Sequence, residues 1–258
     1  HRALPAAVAA MAAGLTLGLA PQGVIAAALL LASSAAVLVV EITALRLLAP
    51  YLGLTLETST LVIGIALAAI ALGSWAGGRL ADRGDPRRYL GLSLGVSGAV
   101  VAFTPAGIRM AAEWAPPTLL LVAALAILVP GALLSAVTPM VTKMRLLTLA
   151  QTGTVVGQLS GLGTMGAIAG TVLTGFVFIS RVPVSVILIG LGLLLVVLLP
   201  YLMRWTGSLT FSTLVYSLTV GLLASFVLMH VHYEAPAIIT GITFVRKVLN
   251  DVSQAALV

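Results

Sequence analysis

The sequence contains no cysteine, which excludes disulfides, thiolate metal sites, iron–sulfur clusters, covalently attached c-type haem and palmitoylation. Charge is almost as scarce. Charged residues make up 8% of the 258 and aromatics 5%, and a soluble domain of this length could not cover its surface with so few Lys, Arg, Asp and Glu side chains. The formal net charge of +6 rests on only thirteen basic residues. Most of them stand in short connections between apolar runs, the pattern of cytoplasmic loops rather than of a nucleic-acid footprint. Nucleic acid is therefore not an expected partner.

What fills the sequence instead is hydrocarbon and glycine. Sixty per cent of the residues are hydrophobic and 26 are glycine, and the mean hydropathy is +1.20. Apolar runs cover 3–20, 24–48, 58–75, 89–104, 119–141, 154–179, 184–202 and 209–229. Most approach the roughly 20 residues that cross a bilayer core. With no water to satisfy the backbone there, such runs must be helical. The expected fold is all-α: a polytopic integral membrane bundle of seven or eight transmembrane helices over residues 1–235, with lipid around it. The tail, 236–258, is too polar to span. Ile238, Ile242, Val245, Leu249, Val252 and Ala256 recur in it at helical spacing, with Arg246, Lys247, Asn250, Asp251 and Gln254 between them. That is an amphipathic helix for a membrane surface or a partner.

Basic residues orient the bundle. Four arginines lie in 79–88, Lys143 and Arg145 follow two spans later, and Arg204 follows two spans after that; the alternate connections hold only Arg109 and Arg181. The first set is expected in the cytoplasm, which puts the C-terminal tail outside.

Gly161-Leu162-Gly163-Thr164-Met165-Gly166 spells the dinucleotide-binding pattern, but in the wrong place. That loop must follow a strand, open a helix and be answered by an acidic residue about twenty positions later. No Asp or Glu occurs between Glu113 and Glu234, and no cofactor is expected. The glycines read instead as helix-packing positions: Gly153, Gly157 and Gly161 are four apart, as are Gly166 and Gly170, Gly73 and Gly77, and Gly91 and Gly95. Small residues at that spacing make a groove that lets another helix approach closely. His230 and His232 do not share a helix face at a spacing of two and are not a ligand pair.

Glu41 is the most informative single residue. A carboxylate inside a span costs about 2.5–3.5 kcal/mol on insertion scales, so it is expected to face protein and to find a partner. Arg46 lies nearer the outer end, and Glu57 opens the next span on the same side. Glu41 and Arg46 are five residues apart, about 140° around a straight helix, so a second helix should supply a partner. The three form either a brace between helices or a site for a proton or a cationic solute.

Four stretches between 24 and 179 carry a family resemblance. They are Glu41-Ile42-Thr43-Ala44-Leu45-Arg46-Leu47-Leu48-Ala49-Pro50 with Gly53; Gly73-Ser74-Trp75-Ala76-Gly77-Gly78-Arg79-Leu80-Ala81-Asp82-Arg83; Pro130-Gly131 with Thr138-Pro139; and the glycine-rich span 152–175. In this order they resemble the membrane domain of fused major-facilitator/spermidine-synthase-like proteins. The second stretch also looks like the signature between helices two and three of major facilitator carriers, which implies a cytoplasmic latch at Gly78, Asp82 and Arg83. The Asp85-Pro86 insertion departs from the carrier pattern, and the chain is about half a twelve-helix carrier in length. The resemblance further implies a soluble aminopropyltransferase domain, for which this sequence has no counterpart, so no catalytic residue and no metal ligand is carried over.

The expected role is a spermidine-synthase-like membrane subunit or fragment, an anchor or scaffold for other membrane subunits or a second copy, in a plasma or bacterial inner membrane and without chemistry of its own. Two other roles stand beside it: a half-size transporter of a small polar or cationic solute, and the membrane part of an aminopropyltransferase. A partner against the glycine grooves would favour the scaffold, and a cavity reaching Glu41 would favour transport.

Overall fold

The computed structural model describes residues 21–53, 55–145 and 152–206, and every regular element among them is helical. The helices are α1 (Pro21–Leu52), α2 (Leu56–Arg83), α3 (Pro86–Trp114), α4 (Leu119–Ser135), α5 (Val137–Arg145), α6 (Thr152–Val172) and α7 (Val184–Thr206). A 3-10 turn, Pro116–Thr118, precedes α4, and a π-helical segment, Leu173–Phe178, continues α6 to a last turn at Ile179–Arg181. Among the described residues five stretches are long and apolar enough to cross a membrane: Ile25–Leu52, Leu56–Arg83, Pro86–Trp114, Pro116–Arg145 and Thr152–Arg181. The runs 3–20 and 209–229, the tail 236–258 and the histidines at 230 and 232 lie outside the described residues.

Local chemistry sets the ends. Gly53 adopts φ 76°, a left-handed conformation that closes α1 at little steric cost. Its N–H donates to the Ala49 carbonyl at 3.0 Å. The Thr55 hydroxyl accepts from the Thr58 N–H and caps α2, and Asp85 caps α3 by accepting from the Arg87 N–H, with Pro86 at the first helical position. The Asp85-Pro86 pair is thus a helix-start signal. Several helices overshoot the apolar runs: α2 continues to Arg83 and α3 starts at Pro86 and reaches Trp114. The backbone gains its hydrogen bonds from continuing into the interface, where charged side chains are already in water.

Three pairings use glycine to bring backbones together. A Cβ placed on Gly73 or Gly77 would overlap Ala132 or Ala136, so α2 lies directly on α4 and α5. One on Gly166 or Gly170 would overlap the backbone of Leu31 or Ala35 on α1, and Gly98 of α3 meets Gly192 of α7. In the first two pairings both partners advance by four residues together, so the helices run parallel; in the third they run antiparallel. Alternate helix ends therefore share a side. The ends at Arg83 and Arg145 lie together, tied by Lys143 Nζ to Asp82 Oδ1 at 2.7 Å.

The core is apolar and small-grained. Leu30, Leu90, Leu94, Leu134 and Met140 are buried among α1, α3, α4 and α5, and a second cluster of Leu48, Val62, Ile108 and Ile127 sits toward the opposite end. Large side chains such as Leu67, Leu72, Leu121, Ile168 and Phe176 are exposed, as expected where the surrounding medium is acyl chain. Trp114 and Tyr51 stand exposed at the end opposite the arginines, and Trp75 lies toward the basic end with Arg79 over its ring at 4.2 Å. Amphipathic rings at the level of Tyr51 and Trp114 suit an interfacial belt, while the Arg79–Trp75 pair is a cation–π contact one turn apart on α2.

Candidate functional site

The five α6 glycines read as packing positions do not act together. Gly166 and Gly170 are buried against α1, whereas Gly153, Gly157 and Gly161 are exposed, with nothing within 4 Å of where a Cβ would be. Helical phase explains the split. Gly153, Gly157 and Gly161 drift only about 40° per step, but the five-residue step from Gly161 to Gly166 turns the helix by about 140°. The second pair therefore faces α1 while the first faces away from the bundle. Thr154 and Gln158 are exposed on that outer side too, and no hydrogen bond holds the Gln158 carboxamide among the described residues. Only 17% of the α6 span is buried, against 56% of the α3 span.

Glu41, Arg46 and Glu57 are not brought together. Glu41 is half-buried on α1, Arg46 and Glu57 are exposed, and no ion pair joins any of them among the described residues. Replacing Glu41 with glutamine should therefore raise the stability of the purified protein by about 1 kcal/mol or more, because a neutral amide replaces an unpaired charge within a span. Thermal unfolding in detergent reads the sign; a lower melting temperature would reveal a partner for the carboxylate.

The segment 78–83 does join two helices, by a different contact from the one its pattern implies. Asp82 reaches across to Lys143 on α5, a Cβ placed on Gly78 would come within 3.9 Å of the Pro139 ring, and Arg83 is an exposed last residue of α2. Both members of the ion pair are more than half exposed, 52% and 69%, so it contributes no more than about 0.2–1 kcal/mol. It sets register more than stability.

One feature has no forerunner in the sequence reading. Between α1, α2, the α4–α5 junction and α6 lies a cavity of about 310 Å³. Ser34, Ser74, Ser135, Thr138, Ser160 and Thr164 bring six hydroxyls to it, and the rest of its described lining is apolar; no charged side chain lines it among the described residues. Ser74, Ser160 and Thr164 are exposed and Ser135 is buried, so the cavity is deepest at the α4–α5 junction and opens between α2 and α6. Glu41 falls on the same stripe of α1 as Ser34, Val37 and Leu38, but the cavity stops short of it: seven residues separate it from Ser34, about 10 Å along the axis. The sequence signal was there in principle, as serines and threonines within four spans. Serine and threonine are tolerated anywhere in a membrane helix because they bond back to their own backbone, as Thr43, Ser97 and Thr104 do here, so nothing singled out these six.

A second polar group lies apart. Thr174, in the π-helical segment, is fully buried and its hydroxyl has no hydrogen-bond partner. Groups of His, Cys, Asp and Glu able to hold a metal are absent among the described residues. Compared with protein-family models, curated proteins and solved structures, the chain matches none of them.

Proposed function

We propose that this chain is a membrane-embedded subunit of a larger assembly, a bundle of seven or eight spans of the spermidine-synthase-like type in a plasma or bacterial inner membrane. It does no chemistry of its own and holds a second membrane chain, or a second copy of itself, along the outer face of α6. The observation that carries this reading is the exposure of Gly153, Gly157 and Gly161 together with Thr154 and Gln158. A bare backbone groove offers acyl chains little surface, and an unpaired carboxamide in hydrocarbon costs free energy that a neighbouring helix removes. The likeness of 24–179 to the membrane domain of fused proteins supports the same role, since such a domain acts through what is attached to it.

Gly161→Leu tests the proposal. The groove has room for the side chain within the single chain, so stability should change by less than about 0.5 kcal/mol. The detergent-extracted native particle should nevertheless shrink to a single 26.3 kDa chain plus detergent, read by mass photometry or native mass spectrometry. A variant that keeps the wild-type particle mass would remove the assembly from this face.

A further inference from the structure

The hydroxyl-lined cavity has a chemistry unusual for a bundle interior. Most hydroxyls in these helices are absorbed by the carbonyl three or four residues back. Ser135 is not. It is 8% exposed, its hydroxyl makes no hydrogen bond among the described residues, and it lies on the cavity wall. The chain stays helical through Ala136, with φ −65° and ψ −20°, but Pro139 stands four residues on from Ser135 and has no N–H to give its carbonyl. A single residue thus presents a free hydroxyl and a carbonyl stripped of its helical donor at one place.

Depth makes that costly unless something answers it. Ser74 is nine residues from the Arg83 end of α2, Ser135 ten from Arg145, and Ser160 eight from Thr152, which puts the cavity about 12–15 Å in from the basic end. The hydrocarbon core is about 30 Å thick, so the site lies well inside it. A carbonyl without its helical donor at such depth is tolerated where it is buried in protein or lines a polar cavity.

We infer that this cavity is a binding site for a small, uncharged solute rich in hydroxyl or amide groups, with Ser135 and Thr138 at its closed end. Size and charge select the class. A volume of about 310 Å³ is at the bottom of the range of ligand pockets, about 300–1,000 Å³. An ion of either sign would enter a low-dielectric cleft with no counter-charge on its walls among the described residues. A neutral polyol or amide needs none. Its O–H or N–H groups donate to the Ser135 carbonyl and to serine oxygens, and its own oxygens accept from the hydroxyls.

The absence of cysteine allows a direct test, because any introduced thiol is the only one. Ser135→Cys and Thr138→Cys, in the full chain reconstituted into bilayers, are treated with methyl methanethiosulfonate, which is neutral, and with its cationic and anionic analogues, each rate divided by that for a free thiol. Leu67→Cys, on an exposed face of α2, is the lipid-facing control. The expected result is reaction at 135 and 138 that strongly favours the neutral reagent. Erythritol, a polyol that does not partition into lipid, should slow it by about threefold at twice its dissociation constant, with no effect at 67. Glu41→Gln should leave that protection unchanged. No reaction at either position, or no protection by erythritol, urea or acetamide, overturns the proposal by showing the cavity filled or dry. So does protection by sodium or potassium chloride in place of the polyol, or reaction with the cationic reagent that depends on Glu41, because either makes it a cation site. These outcomes are independent of particle mass, so the failure of the assembly reading and the failure of this one are distinguishable.

Discussion

Gly73→Leu will abolish folding of the chain, while Gly64→Leu, nine residues earlier on the same helix, will leave it intact. A Cβ on Gly73 would sit inside the backbone of Ala132, 2.7 Å from both its Cα and its carbonyl carbon. Backbone cannot swing aside as the end of a side chain can. To admit even a methyl group, α2 must move off α4, and with it Gly77 off Ala136 and the buried faces at Ala66, Ala69 and Ala81. Lipid offers no hydrophobic drive to re-form that interface in another register, since the bundle coheres by close packing. Overpacking a closed core costs about 1–3 kcal/mol where side chains can adjust, and this contact lacks that relief. At Gly64 nothing lies within 4 Å, and a leucine there only adds to a lipid-facing surface. The measurement is the yield and thermal stability of monodisperse protein in detergent. A Gly73→Leu protein that purifies and melts like the wild type would mean α2 and α4 do not pack as described.

Single cysteines at Arg87 and Glu113 will label from opposite sides of the membrane. Both positions are exposed, at the start and near the end of α3, and α3 is 29 residues long, more than enough to span at about 1.5 Å per residue. The sign follows from the bases. Arg79, Arg83, Arg87, Arg88, Lys143 and Arg145 gather at one end of the bundle, where Asp82 meets Lys143, and that end belongs in the cytoplasm. In intact cells an impermeant maleimide should modify the cysteine at 113 completely and the one at 87 only after permeabilisation. Arg87 and Glu113 are better probes than Gly84, where a Cβ would lie 3.0 Å from the Tyr89 ring. Reversed labelling would invert the bundle; labelling of both from one side would deny that α3 crosses.

The readable and the unreadable parts of this sequence divide along a physical line. Composition alone required helices in lipid, because so few charges cannot cover a soluble surface and apolar backbone in hydrocarbon has no other way to close its hydrogen bonds. Loop charge and cap residues are equally local. Thr55, Asp85-Pro86 and Gly53 act on the backbone within four residues of themselves, and their effect could be read position by position. Helical phase was also on the page: the five-residue step between Gly161 and Gly166 separates two glycine faces by simple rotation. Which face meets α1 and which is left open depends on what stands beside α6, and no periodicity contains that. Glu41 shows the same limit. Its cost in a span is a property of the residue, but whether Arg46 or Glu57 lies within reach is a matter of how two helices pack, and no ion pair joins them among the described residues. The cavity is the extreme case. Six unremarkable hydroxyls from four spans become a site only through the angle and spacing of those spans, and through the N–H that Pro139 withholds beside Ser135. A side chain's own chemistry, its helical phase and its cap are set by its neighbours in sequence. A groove, the pairing of a carboxylate and a polar cleft are set by neighbours in space, which only the packed bundle supplies.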